Sequence, residues 1–436
     1  MRGTGGRERS RESIYFPFFH DTIPGNVRGG FMQHGELTVR AVNSDEELHL
    51  ANDLMAKVHF ADYYTALHWL ETAGMGYPGF RREHTRIALR GGELAGALRL
   101  TTETIRLGEA RLKMGGFSWV TTSPRFRQTG VCRALMDDSM DYMKKNNYHV
   151  SMLFGIPNFY HRFGYATMLP EYTVILDTVE ALSSLGTRLR MREAKPGDIP
   201  AIQRIHTAND GDVACSLLRS AGHITNRWDK AKTIRVLTND QGKVVAYVRA
   251  YRGDDHLVVD EVGLSDGAYC ADVLAVCARL AVDEAVGRVR FLVPPSHVFA
   301  HYLLHFKSAH EMRLTPDSGG MMAFVNIGET LESLIPEWES LLAKSWLRDA
   351  RLEATLLVEG AYYRVRATHG AIDISQNSGK NKMSVSSSEL VQMMTGYAYT
   401  EDIIGAKRRM LTEEAKEFLG VIFPKRCPYV WAFDRF

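Results

Sequence analysis

Cysteine is scarce and irregularly placed in this 436-residue chain: Cys132, Cys215, Cys270, Cys277 and Cys427 are odd in number and contain no CxxC pair. A disulfide framework and a zinc site are not indicated, and a reducing cytosol is the expected compartment, with secretion left open. Charge of one sign is also missing. The 53 basic and 51 acidic residues leave a formal net charge of +2, which gives no sequence-wide field of the kind that draws nucleic acid or anionic lipid. No apolar run approaches the roughly 18 residues that span a bilayer, and the aromatic stretch from Ile14 to Phe19 is broken by Pro17. No membrane partner and no nucleic acid are expected.

What is present is a core-forming composition, 45% hydrophobic and 24% charged, over a length greater than one ordinary core. Two or three domains follow from size alone. Arg2, Arg7, Arg9 and Arg11 lie among Gly and Ser with no apolar signal core after them. Residues 1–35 therefore read as a disordered leader, or as the product of a start codon placed ahead of Met32.

From Glu36 the pattern becomes regular: a strand from Leu37 to Ala41, then a helix opened by Ser44 with Glu47 as a capping box. Ile87 to Arg90 and Leu94 to Leu100 predict a hairpin across Gly91, Gly92 and Glu93. Phe117 to Thr122 predicts a strand that passes through Pro124 into a helix from about Gly130 to Asn146, followed by a strand from His149 to Phe154. The same order recurs from Leu189 to Val293, which suggests a duplicated domain; the competing reading is that any mixed α/β chain yields such an order. After Ser318 the texture changes to helix, three short strands and helix again. The expected organisation is α+β throughout, with domains at 36–178, 186–318 and 321–436.

The most informative stretch joins a strand end to a helix start through a small, basic turn: Val120, Thr121, Thr122, Ser123, Pro124, Arg125, Phe126, Arg127, Gln128, Thr129, Gly130, Val131 and Cys132. Such a turn leaves backbone N–H groups unpaired at a helix N-terminus, and with the helix dipole these form an anion site suited to a pyrophosphate. Gly130 admits phosphate close to the backbone, and Arg125 and Arg127 supply charge. An ordinary strand-to-helix turn with surface arginines is the competing reading.

Here the sequence resembles the GNAT acetyltransferases, whose cofactor motif runs Arg or Gln, two residues, Gly, one residue, then Gly or Ala. Arg127, Gly130 and Cys132 occupy those places, the last being a departure from the pattern. The resemblance implies acetyl-CoA as co-substrate and no metal. It also implies main-chain contacts from Val120 and Thr122 to the pantetheine arm, with phosphate contacts from the Arg125–Cys132 turn. Family members carry an aromatic-to-Gly stretch after the next strand, matched here by Asn158 to Tyr165. A tyrosine there faces the coenzyme sulfur and protonates the departing thiolate. Tyr160 is the choice for that acid, with Tyr165 as the competing phenol.

The last residues, Val430-Trp431-Ala432-Phe433-Asp434-Arg435-Phe436, are aromatic where most chain ends are polar and frayed. Ending on phenylalanine after three domains, the chain resembles the enhanced-intracellular-survival acetyltransferases, which have two tandem GNAT domains and then a sterol-carrier-protein-like domain. That resemblance implies that the terminal carboxylate of Phe436 enters the first domain's site as general base, and that the protein is a hexamer. Arg435 beside it is a departure that would repel a polycation; a buried anchor with no chemistry is the plainer reading of this tail. The middle domain offers Leu264 to Tyr269 where the first has its phosphate turn, and Asp266 there would repel a pyrophosphate. The implied activity is acetyl transfer to a primary amine of an aminoglycoside, a polyamine or a protein lysine. The alternative is a non-enzymatic lipid-binding or scaffold protein with a relict GNAT domain.

Overall fold

A computed structural model describes residues 35–184, 188–227, 233–405 and 411–436. The expected leader, residues 1–35, lies outside these apart from Gly35. The first sheet begins with β1 (Leu37–Ala41), followed by helices α1 (Asp45–His59) and α2 (Tyr63–Glu71). Ser44 caps α1 by accepting the Glu47 N–H at 3.1 Å. The Glu47 carboxylate accepts from Asn43 N–H (2.9 Å) and forks onto Arg40 (2.7 and 2.8 Å), so it anchors the helix start to β1. β2 (Thr85–Arg90) and β3 (Glu93–Leu107) form the expected hairpin, with Arg90 opposite Glu93.

β3 runs to Leu107 and β4 covers Ala110–Thr122, longer than the sequence pattern indicates at both facing ends. The β-branched run Thr101, Thr102, Thr104 and Ile105 favours the extension, while Gly115 and Gly116 mask it by reading as a strand breaker. α3 (Val131–Lys145), β5 (Val150–Gly155), β6 (Ala166–Leu169) and β7 (Glu171–Asp177) follow, then α4 (Thr178–Leu182), β8 (Arg190–Glu193) and α5 (Ile199–Asn209). β9 (Ile234–Thr238), β10 (Val244–Arg252), β11 (His256–Leu264), a helix at Cys270–Asp283, β12 (Arg288–Phe291) and β13 (Ser308–Arg313) complete the repeated order.

The two large sheets exchange strands. Their orders are β1-β2-β3-β4-β5-β14-β6 and β13-β7-β12-β11-β10-β9-β8, where β14 is Gly319–Phe324. β7 follows β6 in sequence yet pairs with β12 and β13; β14 returns to lie between β5 and β6. Each lent strand covers an edge whose N–H and C=O groups would otherwise stand unpaired. Divisions at 178 and 318 therefore cut hydrogen-bonded sheets, and Glu36–Phe436 forms one compact unit. A third sheet, β17-β16-β15-β18, is built from β15 (Arg351–Val358), β16 (Ala361–Thr368), β17 (Ala371–Ser375) and β18 (Lys382–Ser384). It shares one core with a face of the first sheet, Met114 and Met152 joining Leu356, Phe418 and Leu419.

The chain end stitches these layers together. Val430 enters the core shared by the first and third sheets, Tyr429 and Trp431 enter the core of the second, and Phe433 packs among Ile202, Val236 and Tyr247. All four are 1–2% exposed. Each buried ring contributes on the order of 2–3 kcal/mol, against about 1–2 kcal/mol to order each backbone unit. The tail is thus held where most chain ends fray.

Candidate active site

β4 and β5 are parallel and hydrogen-bonded only from Met114–Gly116 to Val150–Met152. Beyond Gly116 the strands part, so Phe117 to Thr122 face an opening on the β5 side. A bulge accompanies the divergence. Ala97 pairs with Thr121 and Arg99 with Ser118, so Leu98 stands opposite both Trp119 and Val120, and Trp119 has φ of 56°. His59 fastens the bulge: its Nε2 lies 2.9 Å from Thr121 Oγ1, which donates to Trp119 C=O at 2.8 Å. Burial lowers the His59 pKa, partly offset by a hydrogen bond to the Val120 main chain. Thr122 is paired with Gly96 on the other side.

The turn after β4 is shaped by two left-handed residues, Gln128 (φ 62°) and Gly130 (φ 86°). A Cβ on Gly130 would meet nothing within 4 Å, so the glycine serves the backbone angle and the space above it is open. Intrahelical bonding in α3 begins with Ala134 N–H to Gly130 C=O at 3.0 Å, which leaves the N–H groups of Val131, Cys132 and Arg133 directed out of the helix start. Thr129 closes the turn by donating to Phe126 C=O at 2.6 Å, and Arg90 donates to Thr129 C=O at 2.8 Å. These residues fit a pyrophosphate: donors, dipole and room coincide.

The two arginines separate in role. Arg125 is held by Glu93 (2.6 and 2.8 Å) and lies over the Phe126 ring, so its charge is already engaged. Arg127 is exposed and makes no ion pair among the described residues. Cys132 is half-buried beside Tyr160, and burial pushes its thiol up to about 11, so it stays a neutral packing group.

Tyr160 opens a short 3-10 turn, Tyr160–Phe163, whose ring packs edge-on against Phe159 (4.9 Å) and over Gly155, where a Cβ would meet its Cδ2 at 2.6 Å. Its hydroxyl has no hydrogen-bond partner among the described residues. Burial, reinforced by Cys132, raises its pKa and keeps it protonated. Tyr165 is placed differently: it is 1% exposed and its hydroxyl is 2.6 Å from Ser151 Oγ, inside the core. Of the two phenols, Tyr165 alone has a side-chain hydrogen-bond partner among the described residues.

Phe436 reaches the fork itself. Its ring meets Phe154 edge-on at 5.7 Å and covers Gly116, the last β4 residue paired with β5. A side chain on Gly116 would overlap that ring and Thr101. Tyr160 and Phe436 thus approach adjacent β5 residues, Gly155 and Phe154, whose side-chain directions alternate across the sheet. Arg435 is paired with Glu171 (2.9 and 3.0 Å) and lies over the Phe154 ring, which offsets the positive charge beside the terminus.

Sequence reasoning missed the buried charges behind this tail. Asp434, 0% exposed, is held by Arg219 (2.7 and 3.0 Å) and lies 2.9 Å from His223 Nε2. Burial alone would raise its pKa, but Arg219 and His223 outweigh that and hold it well below the carboxylate range. Tyr77 Oη donates to Glu103 on β3 and lies 3.4 Å from His223 Nδ1. Burial pushes Glu103 up to about 8, opposed by Arg227. The only hint in the sequence is a glutamate in a strand otherwise fit for a core. At α2, Asp62 caps the helix and Tyr63 donates to Asp53 (2.6 Å), while Trp69 meets Trp119 edge-on at 5.9 Å.

In the second sheet the equivalent helix start is filled from within. Asp266 accepts the Ala268 N–H at 2.8 Å, ahead of the helix Cys270–Asp283. Its carboxylate takes the position an anion would need.

The family model described as Acetyltransferase (GNAT) domain matches residues 38–168. The chain carries a GNAT acetyltransferase domain. It is an acyltransferase enzyme, and a GNAT domain draws its acyl group from an acyl-CoA. No curated protein matches the sequence. Among solved structures, the chain is similar to a GCN5-related N-acetyltransferase from Anabaena variabilis (15% identity, TM-score 0.70). It is also similar to a probable N-acyltransferase of unknown function from Enterococcus faecalis (12%, TM-score 0.72) and to Eis1 from Mycobacterium abscessus (16%, TM-score 0.61). Each likeness covers 92% of this chain and 100% of the other. At these identities they show a common fold. Among the described residues no helix is long and apolar enough to cross a membrane.

Proposed function

We propose that this protein transfers the acetyl group of acetyl-CoA to a primary amine, on an aminoglycoside, a polyamine or a protein lysine, by direct attack. The observation that carries this reading is that Tyr160 and the Phe436 ring reach adjacent residues, Gly155 and Phe154, from opposite faces of the sheet at the close of β5, where β4 and β5 part. Arg127, Gly130 and the N–H groups of Val131 and Cys132 hold the pyrophosphate, and Val120 and Thr122 offer main-chain groups to the pantetheine arm. Acetyl-CoA, when bound there, supplies an activated thioester. The Tyr160 hydroxyl, protonated and without a hydrogen-bond partner among the described residues, donates its proton to the sulfur as the C–S bond breaks. The terminal carboxylate of Phe436 takes the proton of the attacking amine, because an ammonium of pKa about 10 is not nucleophilic at neutral pH.

The tandem arrangement, the silent second phosphate site and the terminal phenylalanine support a protein of the enhanced-intracellular-survival type, cytoplasmic and hexameric. In this reading the region from β15 onward is its sterol-carrier-protein-like part. The test follows thiol release from acetyl-CoA with a panel of aminoglycosides, polyamines and lysine peptides, together with mass of the product. Acetylated amine with stoichiometric thiol is expected. Bound coenzyme A without turnover on any amine would contradict the reading.

A further inference from the structure

The second domain lacks a phosphate turn, yet it holds the chain end from several sides. Trp431 Nε1 donates to Asp210 at 2.9 and 3.1 Å, Arg227 donates to Phe433 C=O at 3.0 Å, and Arg435 pairs with Glu171 on β7. Arg219 is the centre of this hold. Its Nε and Nη2 donate to the two Asp434 oxygens, its Nη1 and Nη2 donate to the two oxygens of Glu261 on β11 (2.7 and 2.8 Å), and its guanidinium lies over the Phe433 ring at 5.1 Å. All three guanidinium nitrogens donate to a carboxylate, an arrangement that a lysine cannot reproduce.

The backbone that carries Arg219 belongs to the first sheet's frame. Where β2 has ended, the segment just before it lies along β3: Cys215 N–H donates to Arg106 C=O (2.8 Å), Arg106 N–H to Ser216 C=O (2.9 Å), and Leu218 N–H to Thr104 C=O (2.9 Å). Arg219 is therefore fixed to β3 by its main chain and to the tail by its side chain. Asp434 is two residues from Phe436, whose ring rests on Gly116 of β4, the partner strand of β3. The path from β3 through Arg219 to the chain end is short, with the Arg219 guanidinium and Asp434 buried at its centre and Phe436 half-buried at its end.

We propose that Arg219 is a positioning residue for acyl transfer, setting through Asp434 where Phe436 stands at the fork of β4 and β5. This rests on the reading of Phe436 as the group that completes the site. It gives the silent second domain a task in the chemistry of the first. Displacing a catalytic group by about 1 Å can cost about 10²-fold in rate, so loosening the fork is a kinetic perturbation before it is a structural one.

The test compares the full-length protein with Arg219→Lys, which keeps the charge both carboxylates need, and with Asp434→Asn, which leaves Arg219 paired with Glu261. Coenzyme A sites are counted by calorimetry, so that kcat is expressed per folded site. Both variants are expected to keep the parent KM for acetyl-CoA and the parent coenzyme A affinity while kcat falls about 10- to 100-fold. A purely structural role would lower the number of sites and leave kcat per site unchanged. Should Arg219→Lys fail to fold, Asp434→Asn carries the same comparison from the tail side. The parent extended by one glycine after Phe436 is run beside them. Slow turnover in the extended protein with unchanged kcat in both variants overturns the role of Arg219 alone; full turnover in the extended protein overturns the reading of Phe436 and with it this proposal.

Discussion

Glu103 offers a quantitative test of how the buried charges behind the tail are arranged. Its carboxyl is 5% exposed and pushed from an ordinary value of 4.5 up to about 8, mainly by burial. A group whose folded pKa lies above its unfolded one stabilises the fold fully below the unfolded value and loses that contribution as pH rises through the folded value. The window here runs from about 4.5 to about 8. At about 1.4 kcal/mol per tenfold change in proton affinity, moving from pH 5 to pH 8 costs the parent about 3 kcal/mol at this site. Glu103→Gln keeps the shape and mimics the protonated acid, so it escapes that loss. Urea denaturation of parent and variant at the two pH values reads the difference. The variant is expected to gain about 3 kcal/mol on the parent between pH 5 and pH 8. A parent-to-variant difference that stays constant across this range would show that Glu103 is ionised in the fold, held so by Arg227 and Arg219, and would refute the argument from burial.

Tyr160→Phe is expected to lower kcat about 10²-fold or more with coenzyme A affinity intact, because only proton donation is lost; unchanged turnover would remove the acid role from this residue. Arg127→Glu sets an anion at the helix start, and coenzyme A binding measured by calorimetry should weaken about 10- to 100-fold. Gly116→Ala places a methyl group against the Phe436 ring and Thr101. Its kcat is expected to fall with little change in coenzyme A affinity, and equal kcat in the two proteins would show that the ring's seat does not matter.

How much of this was legible in the sequence depends on the distance over which each feature is determined. The turn from Pro124 to Gly130 and the helix after it are local, set by proline, glycine and a run of helical periodicity, and α3 spans Val131–Lys145 as that periodicity predicts. The hairpin of β2 and β3 was equally readable from its two glycines. The exchange of β7 and β14 was not, since nothing within either strand tells which sheet will cover its edges. Arg125 resembled Arg127 in sequence, but Glu93, 32 residues away, engages only the first. Glu103 is not singled out by the sequence, because β3 extends beyond the alternation that marks it. Arg219 and Asp434 are 215 residues apart, and only the folded chain brings them together.

The central claim is that the end of the chain completes the active site, and a single added glycine addresses it most directly. One residue after Phe436 moves the terminal carboxylate by roughly 3.5 Å and keeps every side chain in place. Acetylation of a polyamine, followed by thiol release from about pH 6 to pH 9 so that a missing base is exposed, should fall about 10²-fold or more while coenzyme A affinity and thermal unfolding match the parent. Full activity of the extended protein across that range would contradict the account, leaving the tail as an anchor and placing the base elsewhere.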